Sequence, residues 1–497
     1  MTDDVEQFAG EFVQFMRSMH EAAERRPVRR AFRERIDEFL GVESRSLPVI
    51  SDAFAAFDHV NVQVAMSAYL GRKGRSHELL GMAGGYRHVG SFSDILLVPA
   101  PDTDASVEYR NLPSGPESKL PCVQFGIFLI ANGERRLVVL MRGPDRHGMQ
   151  SNVTLEVTSP DEATSQGFLQ EIRALIGELN VFRGQVLTFG GGGDFHQSGL
   201  GPIVFLDRPQ LAGDQLILPA DALSAIEAQV FGIARHRERL LASGQHLKRG
   251  LLLHGPPGTG KTLTVSYLIS TLREHTVVVL SGRGLGAIGA ACGLARMLEP
   301  SVVVLEDVDL VAEERGRFGP NTNPVLFEVL NQMDGLDEDA DVVFLLTTNR
   351  ADRLEPALAA RPGRVDLAVE VPLPDGEARR RLIELYGRGV DLRLDDIDTV
   401  VERTAGVTAS FVKELMRKAA LLSALSSEDA ETGRIAVADA ELNRALDELL
   451  AEETILTRRL LGGAPVPSDQ GPGVPIQSPG PAVYRPGMAW LEAFEDD

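Results

Sequence analysis

"GLLLHGPPGTGKT", Gly250–Thr262, decides the fold. A run of leucines stops at a histidine, and a glycine-rich bend then leads into Lys-Thr. The whole fits G-x-x-x-x-G-K-[ST] set between a strand and a helix. Glycine adopts backbone conformations closed to other residues, so such a bend can curl until successive N–H groups point inward at phosphate oxygens. The N-terminus of the following helix adds the positive end of its dipole. Gly255, Pro256, Pro257, Gly258, Thr259, Gly260, Lys261, Thr262 and Leu263 are therefore the expected ATP-binding residues. Lys261 would reach the β- and γ-phosphates, and the Thr262 hydroxyl would ligate Mg²⁺.

Outward from this stretch, "TVVVLS", "SVVVLED", "DVVFLLTTN" and "LAVEVPL" read as further short strands separated by helical segments. That alternation predicts an α/β fold, a parallel sheet flanked by helices, over 211–372. After Pro374 the chain reads as helical to about Leu461, which predicts a small helical domain over 373–461. Residues 462–497 are too rich in proline and glycine to pack and are expected to be disordered. They end in "MAWLEAFEDD", which holds the only tryptophan, Trp490; the tip suits a docking peptide and equally an unselected tail.

The first 210 residues predict an α+β region. Val5, Phe8, Phe12, Phe15 and Met19 recur at helical spacing, predicting a helix from Val5 towards Leu40. "CVQFGIFLIANGERRLVVLMRG" reads as a β-hairpin turning at Asn132-Gly133, and "VTLEVTS" as a strand. Asp161 to about Asn180 reads as a helix, with "GQVLTF" and "PIVFLD" as further strands. The intervening "FGGGGDFHQSGLG" has no Lys-Ser/Thr after it and reads as a connector.

A second motif lies about forty residues after the first. "SVVVLEDVDL", Ser301–Leu310, is a β-branched run ending in two adjacent acids, in the order Glu then Asp. Side chains alternate faces along a strand, so exchanging the two acids keeps both positions whereas shifting them by one would not. Position assigns Glu306 to Mg²⁺, through water, and Asp307 to polarising the attacking water. The rival assignment, metal on Asp307 with Glu306 or Asp309 as base, stays open at this level.

The 497 residues suggest about three domains at roughly 100–200 residues each, and 43% apolar content is ample for buried cores. A formal net charge of −21 without a basic run disfavours nucleic acid as the main partner. "MTDDVEQFAG" lacks the layout of a signal peptide, and the apolar runs are too short to span a bilayer, so a cytoplasmic protein without membrane insertion is expected. Two distant cysteines, Cys122 and Cys292, suggest no disulfide framework, and the ten histidines show no HExxH. No nucleophile elbow or paired-carboxylate signature marks a separate hydrolase in the first 210 residues.

With "GPPGTGKT", "VVVLEDVD", "LLTTNR" and "PALAARPGRVD" in order, the stretch from about Leu216 to Leu461 resembles the AAA ATPases. The resemblance implies that Asn349 is the sensor orienting the lytic water. It also implies that Arg361 and Arg364 face the nucleotide of a neighbouring subunit in a homohexamer. The Glu-Asp order is similar to that of the branch containing the mitochondrial Rieske-protein translocase, whose members are regarded as active; the similarity does not extend to that translocase's N-terminal membrane helix. Two departures stand out. Where unfoldases of the family carry an aromatic–aliphatic–Gly pore triplet, "GLGAIGAACG" offers only Leu285, Ala287 and Ile288, which would grip a threaded chain weakly. "TAGVTASFVKEL" resembles the family's adenine-side G-x-S-G-A-D-L stretch with Ala409 and Phe411 substituted. The expectation is an Mg²⁺-dependent ATPase that remodels protein clients; the alternative is an ATP-gated scaffold with slow hydrolysis and no threading.

Overall fold

A computed structural model describes residues 32–82, 91–97, 106–144, 151–190, 203–309, 324–335, 339–350, 365–426 and 434–451. The predicted helix between Val5 and Phe32, the arginines Arg361 and Arg364, and the tail with Trp490 lie outside these residues.

The amino-terminal part is built on β1 (Ile50–Phe54), β2 (Arg75–Leu80), β3 (Glu108–Pro113), β4 (Lys119–Asn132), β5 (Arg135–Arg142) and β6 (Val153–Thr158). They form an antiparallel sheet in the order β1-β6-β5-β4-β2, with β3 also beside β4. The hairpin read from "IANGERR" is present: β4 and β5 pair out to Asn132 opposite Arg135. The two loop residues are therefore Gly133 and Glu134, one step later than Asn132-Gly133, and Gly133 takes the positive φ of 63°. Helices α1 (Phe32–Leu40) and α3 (Phe92–Leu97) cover one face, where Ile36, Phe92 and Ile95 meet Ile127, Leu129 and Leu140. Helices α2 (His59–Leu70) and α4 (Glu162–Glu178) cover the other, where Met66, Tyr69, Phe168 and Ile172 meet Phe128, Val139 and Leu155. With both faces covered, the central strands β4 and β5 are apolar on both sides rather than alternating.

The second sheet carries the phosphate loop. It comprises β7 (Val186–Phe189), β8 (Ile203–Leu206), β9 (Arg249–His254), β10 (Thr276–Ser281), β11 (Ser301–Glu306), β12 (Val342–Thr348) and β13 (Leu367–Glu370). Their order is β13-β9-β12-β11-β10-β7-β8. Every neighbouring pair is parallel except β7 with β8. This layer begins before residue 211, because Val186 and Leu187 pair in parallel with Val277 and Val278. The shift of pattern near 210 marks where helices start to alternate with strands; it does not mark where the sheet starts.

The flanking helices are α5 (Ala220–Glu227), α6 (Lys261–Thr271), α7 (Ile288–Met297) and α8 (Pro324–Asp334). Beyond the sheet, α9 (Gly376–Tyr386), α10 (Ile397–Arg403), α11 (Ala409–Ser426) and α12 (Asp439–Leu450) form the small domain around Ile383, Phe411, Leu415 and Leu446. It is not helical throughout, since β14 (Asp391–Arg393) and β15 (Ala436–Ala438) pair in parallel across it.

The two large sheets share packing. Val60 of α2 and Cys122 of β4 belong to the same buried cluster as Leu187, Phe189, Val303 and Leu305. Helix α2 explains why this joint is hard to read in sequence. It serves both sides, so "HVNVQVAMSAYL" is apolar around much of its circumference and shows no single stripe. His59 Nε2 pairs with the Val123 carbonyl at 2.8 Å, and Gln63 Oε1 accepts the Val123 N–H at 2.9 Å, where the β3–β4 register shifts. Between them in sequence, Asn61 Oδ1 accepts the N–H of Val181 on the side of the second sheet, at 3.0 Å.

Candidate active site

Parallel pairing brings the C-terminal ends of β9, β11 and β12 to one rim. The phosphate loop leaves β9 there, and three of its glycines hold left-handed backbone: Gly255 (φ 145°), Gly258 (φ 76°) and Gly260 (φ 112°). At Gly255 a side chain is also excluded by space, because a Cβ would lie 2.3 Å from the Val371 carbonyl oxygen. Lys261 opens α6 and is 6% exposed. Its Nζ donates to the carbonyls of Gly255 and Pro256 at 2.9 and 2.8 Å. Burial lowers its pKa, and Asp307 and Asp309 oppose that shift. Thr259 Oγ1 donates to the Pro256 carbonyl at 2.9 Å, while Pro256 and Pro257 are exposed and Leu263 packs against the core.

The two acids of "LEDVD" have different surroundings. Glu306 ends β11, is 8% exposed and lies beside the side chain of Thr262. Its Oε1 is buried without a partner. Burial and the neighbouring Asp307 push its pKa up to about 7, while the nearby Thr262 side chain lowers it. Asp307 instead accepts from Asn349 Nδ2 at 3.2 Å, and its N–H donates to Thr347 Oγ1 at 3.0 Å. Burial and Asp309 raise its pKa, while Lys261 and Asn349 lower it.

Behind them Asp309, 6% exposed, accepts from Thr348 Oγ1 at 2.9 Å and from the Asn349 N–H at 3.2 Å. This fastens the end of β12 to the acidic loop. Asp309 was visible in sequence only as a rival base, and Thr347 and Thr348 were not singled out. The signal was the "TTN" run, whose hydroxyls face a neighbouring strand that only the fold identifies.

The small domain closes over the loop through α11. The Ser410 N–H donates to the Gly258 carbonyl at 3.1 Å, and a Cβ on Gly258 would meet Ser410 Oγ at 3.0 Å and Thr408 Oγ1 at 3.1 Å. Phe411, one of the two substitutions in the adenine-side stretch, is buried in the small domain's own core. On the other side of the rim, Leu285, Ala287 and Ile288 of the pore-loop candidate are buried against β10 and β11 residues and offer no exposed apolar surface. The structure thus brings together Lys261, Thr262, Glu306, Asp307 and Asn349.

This arrangement defines a P-loop nucleotide site with an acid pair and the amide of Asn349 beside it. The family described as "ATPase family associated with various cellular activities (AAA)" matches residues 251–373, and the chain carries an AAA ATPase domain. It is 33% identical over 269 residues to an ATP-dependent zinc metalloprotease FtsH 2 of Sphaerobacter thermophilus, covering 51% of this chain and 40% of that protein. It is 34% identical over 205 residues to a 26S proteasome regulatory subunit 6B homolog of Encephalitozoon cuniculi, covering 37% of this chain and 51% of that protein. A second Sphaerobacter protein, FtsH 3, is 28% identical over 317 residues, with 61% and 62% covered. The chain thus spans about two fifths to three fifths of the length of these relatives. Among the described residues no helix is long and apolar enough to cross a membrane, and no group of three or more His, Cys, Asp or Glu is placed to hold a metal ion.

Proposed function

We propose that the chain binds ATP at Gly255–Leu263 and hydrolyses it in a homohexameric ring that remodels protein clients. The amino-terminal region would hold the client or adaptor, and Arg361 and Arg364 would reach the nucleotide of the next subunit. The observation that carries the catalytic reading is the sorting of the two acids: Glu306 lies beside the Thr262 side chain, and Asp307 accepts from Asn349. This supports Glu306 on the metal side and Asp307 on the water side, whereas the reverse assignment would separate each acid from its partner.

Mg²⁺ fits the residues present. A buried, unpartnered Glu306 oxygen lies beside the threonine that ends the phosphate loop, which suits a hydrated cation held by Thr262 and, through water, Glu306. Bound there, the ion would neutralise charge on the phosphates. Asp307 and Asn349 would orient a water for attack on the γ-phosphorus, with ADP as the leaving group. Lys261 would turn from its two loop carbonyls to the phosphate oxygens. Most of the acceleration would come from positioning and electrostatics.

The variant Asp307→Asn tests this reading. It should bind ATP as wild type does, lose phosphate release by about 100-fold or more, and retain its client in a pull-down. Equal turnover in the two proteins would remove Asp307 from the role.

The burial of Leu285, Ala287 and Ile288 favours a second reading, an ATP-gated scaffold that assembles on nucleotide and does not thread. Turnover measured with and without cell extract separates the two. A remodeller is stimulated by its client, whereas a scaffold responds flatly.

A further inference from the structure

We infer that Thr347 is a positioning residue for hydrolysis, whose hydroxyl holds Asp307 in a left-handed backbone that presents the shorter acid to Asn349. The inference rests on Asp307 acting on the water. Asp307 has φ 49°, and it is the one non-glycine residue with positive φ among the described residues. Left-handed backbone is unfavourable for most side chains; Asp and Asn, short and polar, enter it more readily than Glu.

The conformation has an identifiable holder. Thr347 lies in β12, 1% exposed, beside the end of β11. It takes two successive N–H groups of the acidic loop: Asp307 N–H on its Oγ1 at 3.0 Å, and Val308 N–H on its carbonyl at 3.1 Å. Strand alternation carried through Asp307 would send its side chain to the face opposite Glu306. The left-handed step breaks that alternation where β11 stops, and the carboxylate meets the Asn349 amide. The missing methylene of the Glu-to-Asp exchange is thus matched by a change in backbone, and the hydroxyl of Thr347 is the polar group that fixes it.

Valine at 347 keeps the shape of threonine but removes the acceptor, leaving the Asp307 N–H unpaired. Thr347→Val should lower kcat about tenfold while the affinity for a methylanthraniloyl-ATP probe stays within about twofold, and Thr347→Ser should recover kcat to within about threefold of wild type. Asp307→Glu should lower kcat at least about fivefold, because the longer acid is unsuited to the left-handed position and overreaches Asn349. Wild-type kcat in Thr347→Val, loss of probe affinity in that variant, or an Asp307→Glu protein as active as wild type would each overturn the inference. Asp307→Asn serves as the control. If it hydrolyses normally, the catalytic reading itself fails; if it is inactive while Thr347→Val is unimpaired, only the role of Thr347 falls.

Discussion

The two large sheets have similar strand counts and both are covered on two faces, yet among the described residues only one gathers reactive groups. In the amino-terminal sheet the strands are antiparallel, so successive strand ends emerge at opposite edges. In the second sheet, parallel strands send the ends of β9, β11 and β12 to one rim, where Lys261, Glu306, Asp307 and Asn349 converge. Direction of pairing, more than composition, separates a packing unit from a catalytic one.

The comparison can be broken first at the rim. Gly255→Ala places a methyl group against the Val371 carbonyl in a backbone that alanine disfavours. ATP affinity should fall at least about 1,000-fold, about 4 kcal/mol, by calorimetric titration, while the amino-terminal sheet stays folded. The converse change lies in the first sheet. There the buried Glu156 carboxylate accepts from Arg142 and, at 2.6 Å, from the Phe92 N–H. Glu156→Leu removes the carboxylate from both Arg142 and the Phe92 N–H and should cost about 3–4 kcal/mol. Hydrogen exchange should locate that loss in β4–β6 and leave the phosphate loop protected.

A third test uses the end of the parallel sheet opposite the rim. His275 is buried near Asp341 and three arginines, Arg249, Arg208 and Arg237. Burial lowers its pKa to about 4 from 6.5, the arginines reinforce that and Asp341 opposes it. The unfolded chain therefore binds this proton before the folded one does. Stability is unaffected above pH 6.5 and declines as pH falls towards 4, by up to about 3 kcal/mol. Compared at each pH by denaturant unfolding, His275→Phe should remove that part of the decline. The smallest effect is expected at the β4–β5 turn: Gly133→Ala meets open space but keeps φ 63°, and should destabilise by about 1 kcal/mol without altering ATP turnover.

Legibility in the sequence followed the same division. The strands "LLLH", "TVVVLS", "SVVVLE" and "VVFLLTT" were readable because a buried parallel strand is a short apolar run between helices. The phosphate loop was readable because its chemistry is local. The membership of β7 and β8 in that sheet was not, since the pairing of Val186 with Val277 spans about ninety residues and leaves no local mark. The acid pair was legible as a pair, but its sorting between Thr262 and Asn349 depends on partners brought from α6 and β12. The left-handed turn at Asp307 had no sequence signal beyond the tolerance of aspartate for it.

The packing of Val60 and Cys122 with Leu187, Phe189 and Leu305 has a practical corollary for anyone cutting this gene. A fragment begun at residue 211 would strip β7 and β8 from the sheet edge, bare the flank of β10 and open the cluster that underlies β11. Its insolubility would say nothing about whether the nucleotide-binding half can fold.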